Sequence, residues 1–321
     1  MLSSDGRGHA PRPGGRMGTW PSAGTALAGV IGDPVEHSLS PVLHNAALVE
    51  VGLDWAYVAF PVPAGRGTTA VAAMVDLGIR GLSVTMPHKA AAAAACRRLS
   101  PVAERLGVVN TVTNVAGELV GDSTDGPGFV DALLDQGWSP EGKTCLVLGA
   151  GGAAKAVVLA LAEAGAGQVL VAARRPEQAE ETASFAGERG GVAPVDAAGK
   201  ADLVVNATPV GMVGVPGTGG LPLGLDDAWL GSGQLVADLI YAPASTPLLA
   251  AARARGAGTV NGLGMLIHQA ARQFRTWTGR EAPVDVMSAA ALRELRRRAE
   301  AGSLGEISQL GEPLGEPLGR A

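Results

Sequence analysis

The feature that most constrains this chain is the run Lys143-Thr144-Cys145-Leu146-Val147-Leu148, followed without a break by Gly149-Ala150-Gly151-Gly152-Ala153-Ala154. A short apolar run that stops at closely spaced glycines and continues in helix-forming residues to about Ala164 predicts strand, turn and helix. Gln168 to Ala172 predicts the next strand. Only in this setting is G-x-G-x-x-A a specific signal for nucleotide binding. Gly149 permits the tight turn, and Gly151 lets backbone N–H groups approach a pyrophosphate at the helix N-terminus. Ala150, Gly152 and Ala153 complete the loop. A glycine turn without a ligand is the weaker reading in this context.

The end of the second strand discriminates between nucleotides. A site for NAD usually places an acid there to accept from the ribose 2′-hydroxyl, whereas a 2′-phosphate calls for arginine. Here the chain runs Ala172-Ala173-Arg174-Arg175-Pro176, with no acid until Glu177. Two arginines opening a helix sit unfavourably against its dipole unless an anion joins them. Arg174 and Arg175 therefore point to NADP.

Upstream, the alternation repeats. Strands are predicted at Leu27 to Ile31, Ala56 to Val62 and Gly81 to Thr85, and helices at Pro41 to Val51 and Thr68 to Leu77. After Pro87, placed as the first residue of a helix, the run Ala90 to Ala95 continues it, with Arg97 and Arg98 in its last turn. Asn110 to Val115 and Glu118 to Gly121 form two strands about a Gly117 turn, and Gly126 to Gln136 forms a helix. Later strands fall at Asp202 to Ala207 and Gln234 to Leu239, and helices at Pro247 to Arg255, Leu263 to Trp277 and Val284 to Ala301. Repeated β-α-β units imply an α/β fold with mostly parallel sheets.

A length of 321 residues allows two domains. We expect a substrate-binding and catalytic domain over 25–126, completed by helices at 265–301, and a Rossmann-type nucleotide domain over 127–264, with disordered tails at 1–24 and 302–321. The formal net charge of −5 argues against a surface built for nucleic acid or an anionic membrane. Cys96 and Cys145 stand far apart in apolar runs and read as buried structural thiols. No secretory signal and no bilayer-spanning run is evident. The expectation is a cytoplasmic protein acting on a small molecule, as a monomer or homodimer. With five histidines and no matching acidic partners, no metal site is expected.

The motifs in chain order resemble the shikimate dehydrogenase family over about residues 27–300. Gly32-Asp33-Pro34-Val35-Glu36-His37-Ser38-Leu39-Ser40-Pro41-Val42-Leu43-His44-Asn45 is similar to its G-x-P-x-x-H-S-x-S-P-x-x-H-N signature. The resemblance implies that Ser38 and Ser40 bind the substrate carboxylate, although Ser40 before Pro41 also fits a helix cap. His37 and His44 read as structural. Gly81-Leu82-Ser83-Val84-Thr85-Met86-Pro87-His88-Lys89 resembles G-x-N-V-T-x-P-x-K, and Ser123-Thr124-Asp125-Gly126 resembles N-T-D-G. These imply a catalytic Lys89 paired with Asp125, and substrate contacts from Thr85 and Asn110.

Asn206-Ala207-Thr208-Pro209 and the stretch around Leu239 resemble family segments beside the nucleotide. Tyr241 would lie near the substrate. Gly262-Leu263-Gly264-Met265-Leu266-Ile267-His268-Gln269 resembles G-x-x-M-L-x-x-Q, implying Gly262 and Met265 near the nicotinamide and Gln269 on substrate hydroxyls. The implied activity is reversible reduction of 3-dehydroshikimate to shikimate by NADPH, in aromatic amino-acid biosynthesis; quinate or aminoshikimate are alternative substrates within the family. Ser83 and Ser123 stand where the family usually has asparagine, which leaves the substrate preference open.

Overall fold

The computed structural model describes residues 21–212, 217 and 219–302. Almost all of the two expected tails lies outside the described residues. The first half runs β1 (Ala26–Gly32), α1 (Ser40–Glu50), β2 (Trp55–Pro61), α2 (Gly67–Asp76), β3 (Ile79–Val84), α3 (Lys89–Ala95), β4 (Arg98–Leu99), α4 (Pro101–Leu106), β5 (Thr111–Val115), β6 (Glu118–Asp122) and α5 (Asp125–Asp135). The second runs β7 (Thr144–Leu148), α6 (Gly152–Glu163), β8 (Gln168–Ala172), α7 (Pro176–Ser184), β9 (Gly190–Val192), β10 (Leu203–Asn206), β11 (Leu235–Asp238), α8 (Pro247–Ala254), β12 (Gly258–Val260), α9 (Gly262–Thr278) and α10 (Val284–Glu300).

Two six-stranded sheets result. The first, ordered β2-β1-β3-β5-β6-β4, is parallel through β2, β1 and β3 and turns antiparallel at β5 and β6. The β5–β6 hairpin closes through Ala116 and Gly117, both at positive φ, which the right-handed strand twist favours. The second sheet, β12-β11-β10-β7-β8-β9, is parallel throughout. Its central strand β7 is buried on both faces, and Cys145 to Leu148 are wholly inaccessible. That is why this segment reads as a continuous apolar run rather than an alternating one.

One helix belongs to both halves. Leu263, Ile267, Ala270 and Phe274 of α9 pack into the core beside the first sheet, whereas Met265 packs into the core of the second. Along its length α9 meets β5: Gln273 Nε2 donates to the Asn110 carbonyl at 3.2 Å and Trp277 Nε1 to that of Val112 at 3.1 Å. One helical turn spans nearly the same distance as two strand residues, so successive turns meet alternate carbonyls. Gly81 leaves room for this packing, since a Cβ there would stand 2.4 Å from the Trp277 ring.

Three local expectations fail. Pro87 does not start α3; His88 N–H donates back to the Thr85 carbonyl at 3.0 Å, so the chain completes a turn and the helix opens at Lys89. Arg97 and Arg98 do not close it either. Cys96 is already extended, and Arg98–Leu99 pairs as an edge strand with Val120 and Gly121. Tertiary pairing overrides the helical propensity of the alanine run there. The chain also contains α4, which the expected elements omit. Its cap was legible: Ser100 Oγ accepts from Ala103 N–H ahead of Pro101, and Gly107 closes it in the left-handed region.

Candidate active site

The site is built at the C-terminal ends of the two sheets' strands. Lys89 is the first residue of α3 and Asp125 the first of α5, and the Lys89 Nζ to Asp125 Oδ2 distance is 2.5 Å. The pair is not sealed away: the side chains are 30% and 17% exposed, so a ligand can reach the ammonium. Asn110 Nδ2 donates to the other carboxylate oxygen, Oδ1, at 2.8 Å. With a cation on one oxygen and an amide on the other, the Asp125 side chain is held in one orientation. Gln269 of α9 is buried nearby, its Oε1 3.4 Å from Asn110 Nδ2. Gly128 permits this approach of α5 to α9: a Cβ there would stand 2.6 Å from Gln269 N.

The serine loop lies between β1 and α1. Ser38 Oγ accepts from Ser40 N–H at 3.2 Å, and Ser40 is itself the first residue of α1 rather than its cap. Arg298 of α10 donates to the His37 carbonyl at 2.7 Å and braces the loop. His44 behaves as a structural residue. It stacks on Tyr57 at 4.2 Å, and burial draws its imidazole down to about 3, which keeps it neutral. Thr85 is half-buried just beyond β3, and its N–H donates to the Ile31 carbonyl at 3.0 Å. Tyr241, just past β11, packs against the core of the first half; burial raises its phenol, partly offset by Arg298.

On the nucleotide side, Gly149 has φ of +115° and its N–H donates to the Ala172 carbonyl at 2.8 Å. Gly151, Gly152 and Ala153 are exposed at the start of α6, and a Cβ at either glycine would meet nothing within 4 Å. That open space beside free N–H groups fits a pyrophosphate. Arg174 and Arg175 are exposed, and neither guanidinium is ion-paired with a described residue. The residues therefore suit a dinucleotide carrying a 2′-phosphate.

Asn206 is fully engaged within the protein. Its Nδ2 donates to Asp238 Oδ1 and the Val210 carbonyl, and its Oδ1 accepts from Thr208 N–H and Oγ1. All four hydrogen-bonding positions are committed, so Asn206 shapes the loop that presents Thr208. Asp238, which sequence reasoning did not single out, anchors the same region. It accepts from Asn206, Thr246 Oγ1 and Ile240 N–H, yet burial still raises its carboxyl. Gly262 lets α9 start tight against β11, where a Cβ would fall 2.0 Å from the Leu239 carbonyl oxygen.

Residues 30–112 match the shikimate dehydrogenase substrate binding domain, 262–292 the shikimate 5′-dehydrogenase C-terminal domain, and 144–214 a domain described as NADP oxidoreductase, coenzyme F420-dependent. Shikimate dehydrogenase (NADP(+)) of Moorella thermoacetica is 46% identical over 275 residues, covering 83% of this chain and 92% of that one. The chain belongs to the shikimate dehydrogenase family. A shikimate dehydrogenase crystallised with NADP+ superposes with a TM-score of 0.80 at 37% identity, covering 87% of this chain and 99% of that one. That of Thermus thermophilus, in complex with NADP(H) and shikimate, gives 0.77 at 38% identity over 84% and 99%.

Within this shikimate dehydrogenase family member, the serine that departs from the usual asparagine is not idle. Ser83 is buried, donates to Gln273 Oε1 at 2.7 Å and accepts from the Tyr57 hydroxyl at 2.6 Å. Its one proton is therefore held inside the protein. Ser123 is also buried, its N–H on Asp122 Oδ1 at 2.7 Å. Tyr57, Thr111, Thr124 and Gln273 were not singled out from sequence. Gln273 carried the one available signal, one helical turn beyond Gln269 on the same face.

Proposed function

We propose that the protein is an NADP-dependent shikimate dehydrogenase, catalysing 3-dehydroshikimate + NADPH + H⁺ ⇌ shikimate + NADP⁺. The observation that carries this reading is the Lys89–Asp125 pair, reachable from solvent and braced by Asn110. When bound, the dinucleotide supplies the hydride. As the ketone carbon is reduced its oxygen gains negative charge, and Lys89 Nζ donates the proton that neutralises it. Asp125 Oδ2 holds a second ammonium hydrogen and so aims the group, while Asn110 stops the carboxylate from rotating. In the reverse direction the same Nζ receives the proton.

Ser38 and Ser40 take the substrate carboxylate, with Arg298 steadying their loop. Thr85, Asn110 and Gln269 take the ring hydroxyls, and Tyr241 closes the rim. Gly149, Ala150, Gly151, Gly152 and Ala153 cradle the pyrophosphate, and Arg174 and Arg175 the 2′-phosphate. Thr208, on the loop that Asn206 shapes, borders the rest of the nucleotide together with Leu239, Gly262 and Met265. The enzyme acts in the cytoplasm as a monomer or homodimer; among the described residues no helix is long and apolar enough to cross a membrane.

The test follows reduced-nicotinamide absorbance. Wild-type protein with shikimate and NADP+ should turn over, with kcat/KM for shikimate above that for quinate. Lys89→Ala should lose about 10²–10⁴-fold in kcat while staying folded. Near-wild-type kcat in that variant refutes the assignment.

A further inference from the structure

The polar groups behind the Lys89–Asp125 pair form one connected chain, and two backbone groups fix its direction. Gln273 Nε2 lies 3.2 Å from the Asn110 carbonyl, which can only accept, so the amide nitrogen faces that carbonyl and Oε1 faces Ser83. Ser83 must then donate to Oε1, which leaves it to accept from Tyr57. At the far end, Thr124 N–H can only donate, and it meets Asn110 Oδ1 at 2.9 Å. Asn110 Nδ2 therefore faces Asp125. Between these ends Thr111 Oγ1 accepts from Gln273 Nε2 at 3.1 Å and donates to Asn110 Oδ1 at 2.7 Å. Every donor points the same way: Tyr57 to Ser83 to Gln273 to Thr111 to Asn110 to Asp125. The five members ahead of Asp125 are all buried, as is Thr124 beside them, so water does not interrupt the run.

We propose that Gln273, fed by Ser83 and Tyr57, is a positioning residue for the reaction: it carries this one-way chain across from β3 to β5 and thereby fixes the amide that holds Asp125 in line with Lys89. The inference rests on Lys89 and Asp125 being the catalytic pair. Gln273 touches neither of them. It ties two separate segments to α9 by side chain alone: β3 through Ser83, and the start of β5 through Thr111 and the carbonyl of Asn110 just before it. The Asn110 carbonyl also accepts from Val84 N–H at 2.7 Å, so Gln273 adds a second restraint to the peptide that carries the Asn110 side chain. A network whose members are all satisfied in one direction holds its last member more tightly than isolated bonds do. The arrangement places the departure at Ser83 in the support of the catalytic pair, where substrate hydroxyls do not reach its proton.

The test compares Ser83→Ala, Gln273→Met and the double variant with wild type, measuring kcat and both KM values for shikimate oxidation together with thermal midpoints. Gln273→Met keeps the length and removes every hydrogen bond; its kcat should fall about 10–100-fold, with KM for NADP+ within about twofold of wild type. Ser83→Ala should lose about 3–10-fold in kcat, and the double variant should be no slower than Gln273→Met, because residues acting as one unit do not add. The proposal is overturned if kcat in either single variant stays within about twofold of wild type, if the two losses multiply, or if only the thermal midpoint changes. If Gln273→Met does not fold, Ser83→Ala, which removes a single oxygen, decides by the same kcat criterion. A wild-type protein that fails to turn over shikimate refutes the reaction itself; one that turns over while the Gln273 and Ser83 variants match it refutes only the positioning role.

Discussion

The glycines of α5 set how closely the Asp125 carboxylate and α9 can lie, and Gly128→Ala measures that. Gly128 follows Asp125 by three residues, nearly one helical turn. A Cβ there would stand 2.6 Å from Gln269 N and 2.8 Å from its Cα, where ordinary contact begins at 3.4 Å. The nearest atoms are helix backbone, so no side chain can swing aside. The two helices must separate by the difference, about 0.8 Å. Overpacking of this kind costs about 1–3 kcal/mol. For a chain of this size each kcal/mol lowers the thermal midpoint by about 2–4 °C. The same displacement moves Asp125 relative to Gln269 and Asn110, and a misplacement of about 1 Å costs on the order of 100-fold in rate. We expect kcat to fall more than about tenfold, beyond any effect of the lower midpoint when assayed well below it. Gly231→Ala is the control, since a Cβ there meets nothing within 4 Å; its stability should stay within about 0.5 kcal/mol of wild type. Gly128→Ala with wild-type midpoint and kcat would show that α5 and α9 are not held at the limit of contact.

Three further outcomes follow from the same geometry. Arg174→Ala should raise KM for NADP+ much more than for NAD+, and equal losses would remove the 2′-phosphate role. Asp238→Ala leaves Thr246, Ile240 N–H and Asn206 without their acceptor, so stability should drop by about 1–3 kcal/mol and KM for NADP+ should rise as the 206–212 loop loosens; an unchanged denaturation midpoint contradicts this. Glu294, between Arg297 and Arg298, has its carboxyl drawn down to about 2, first by the Arg297 hydrogen bond, against an ordinary 4.5. Its folded value is depressed, so its stabilisation is complete above about 4.5 and is lost as pH falls towards 2. In Glu294→Gln the acid unfolding curve should flatten across that window, and an unchanged slope there would count against the ion pairs.

The sequence carried the parts of this protein that local chemistry determines. The nucleotide loop was legible because strand, glycines and helix must follow one another, and β8 was predicted residue for residue. The pairing of Lys89 with Asp125 came through resemblance, because nothing local connects two residues 36 positions apart. What stayed hidden was set by neighbours in space. Arg98–Leu99 became a strand only because β6 offered an edge. Asn206 kept its place beside the nucleotide loop but serves Asp238, Thr208 and Val210, partners no motif announces. Gln273 falls on the buried face of α9, where periodicity alone would have asked for an apolar residue.

The shared helix has a consequence for anyone who would exchange cofactor specificity between relatives. The core of the second sheet is closed by Phe129 and Leu133 of α5 and by Met265 of α9, residues that come before and after the strands they cover. A nucleotide-binding half cut out from β7 to β12 would expose that apolar face to water. It is therefore not a cassette: a transplant must begin at Asp125 and end within α9, and it carries the Asp125 carboxylate with it.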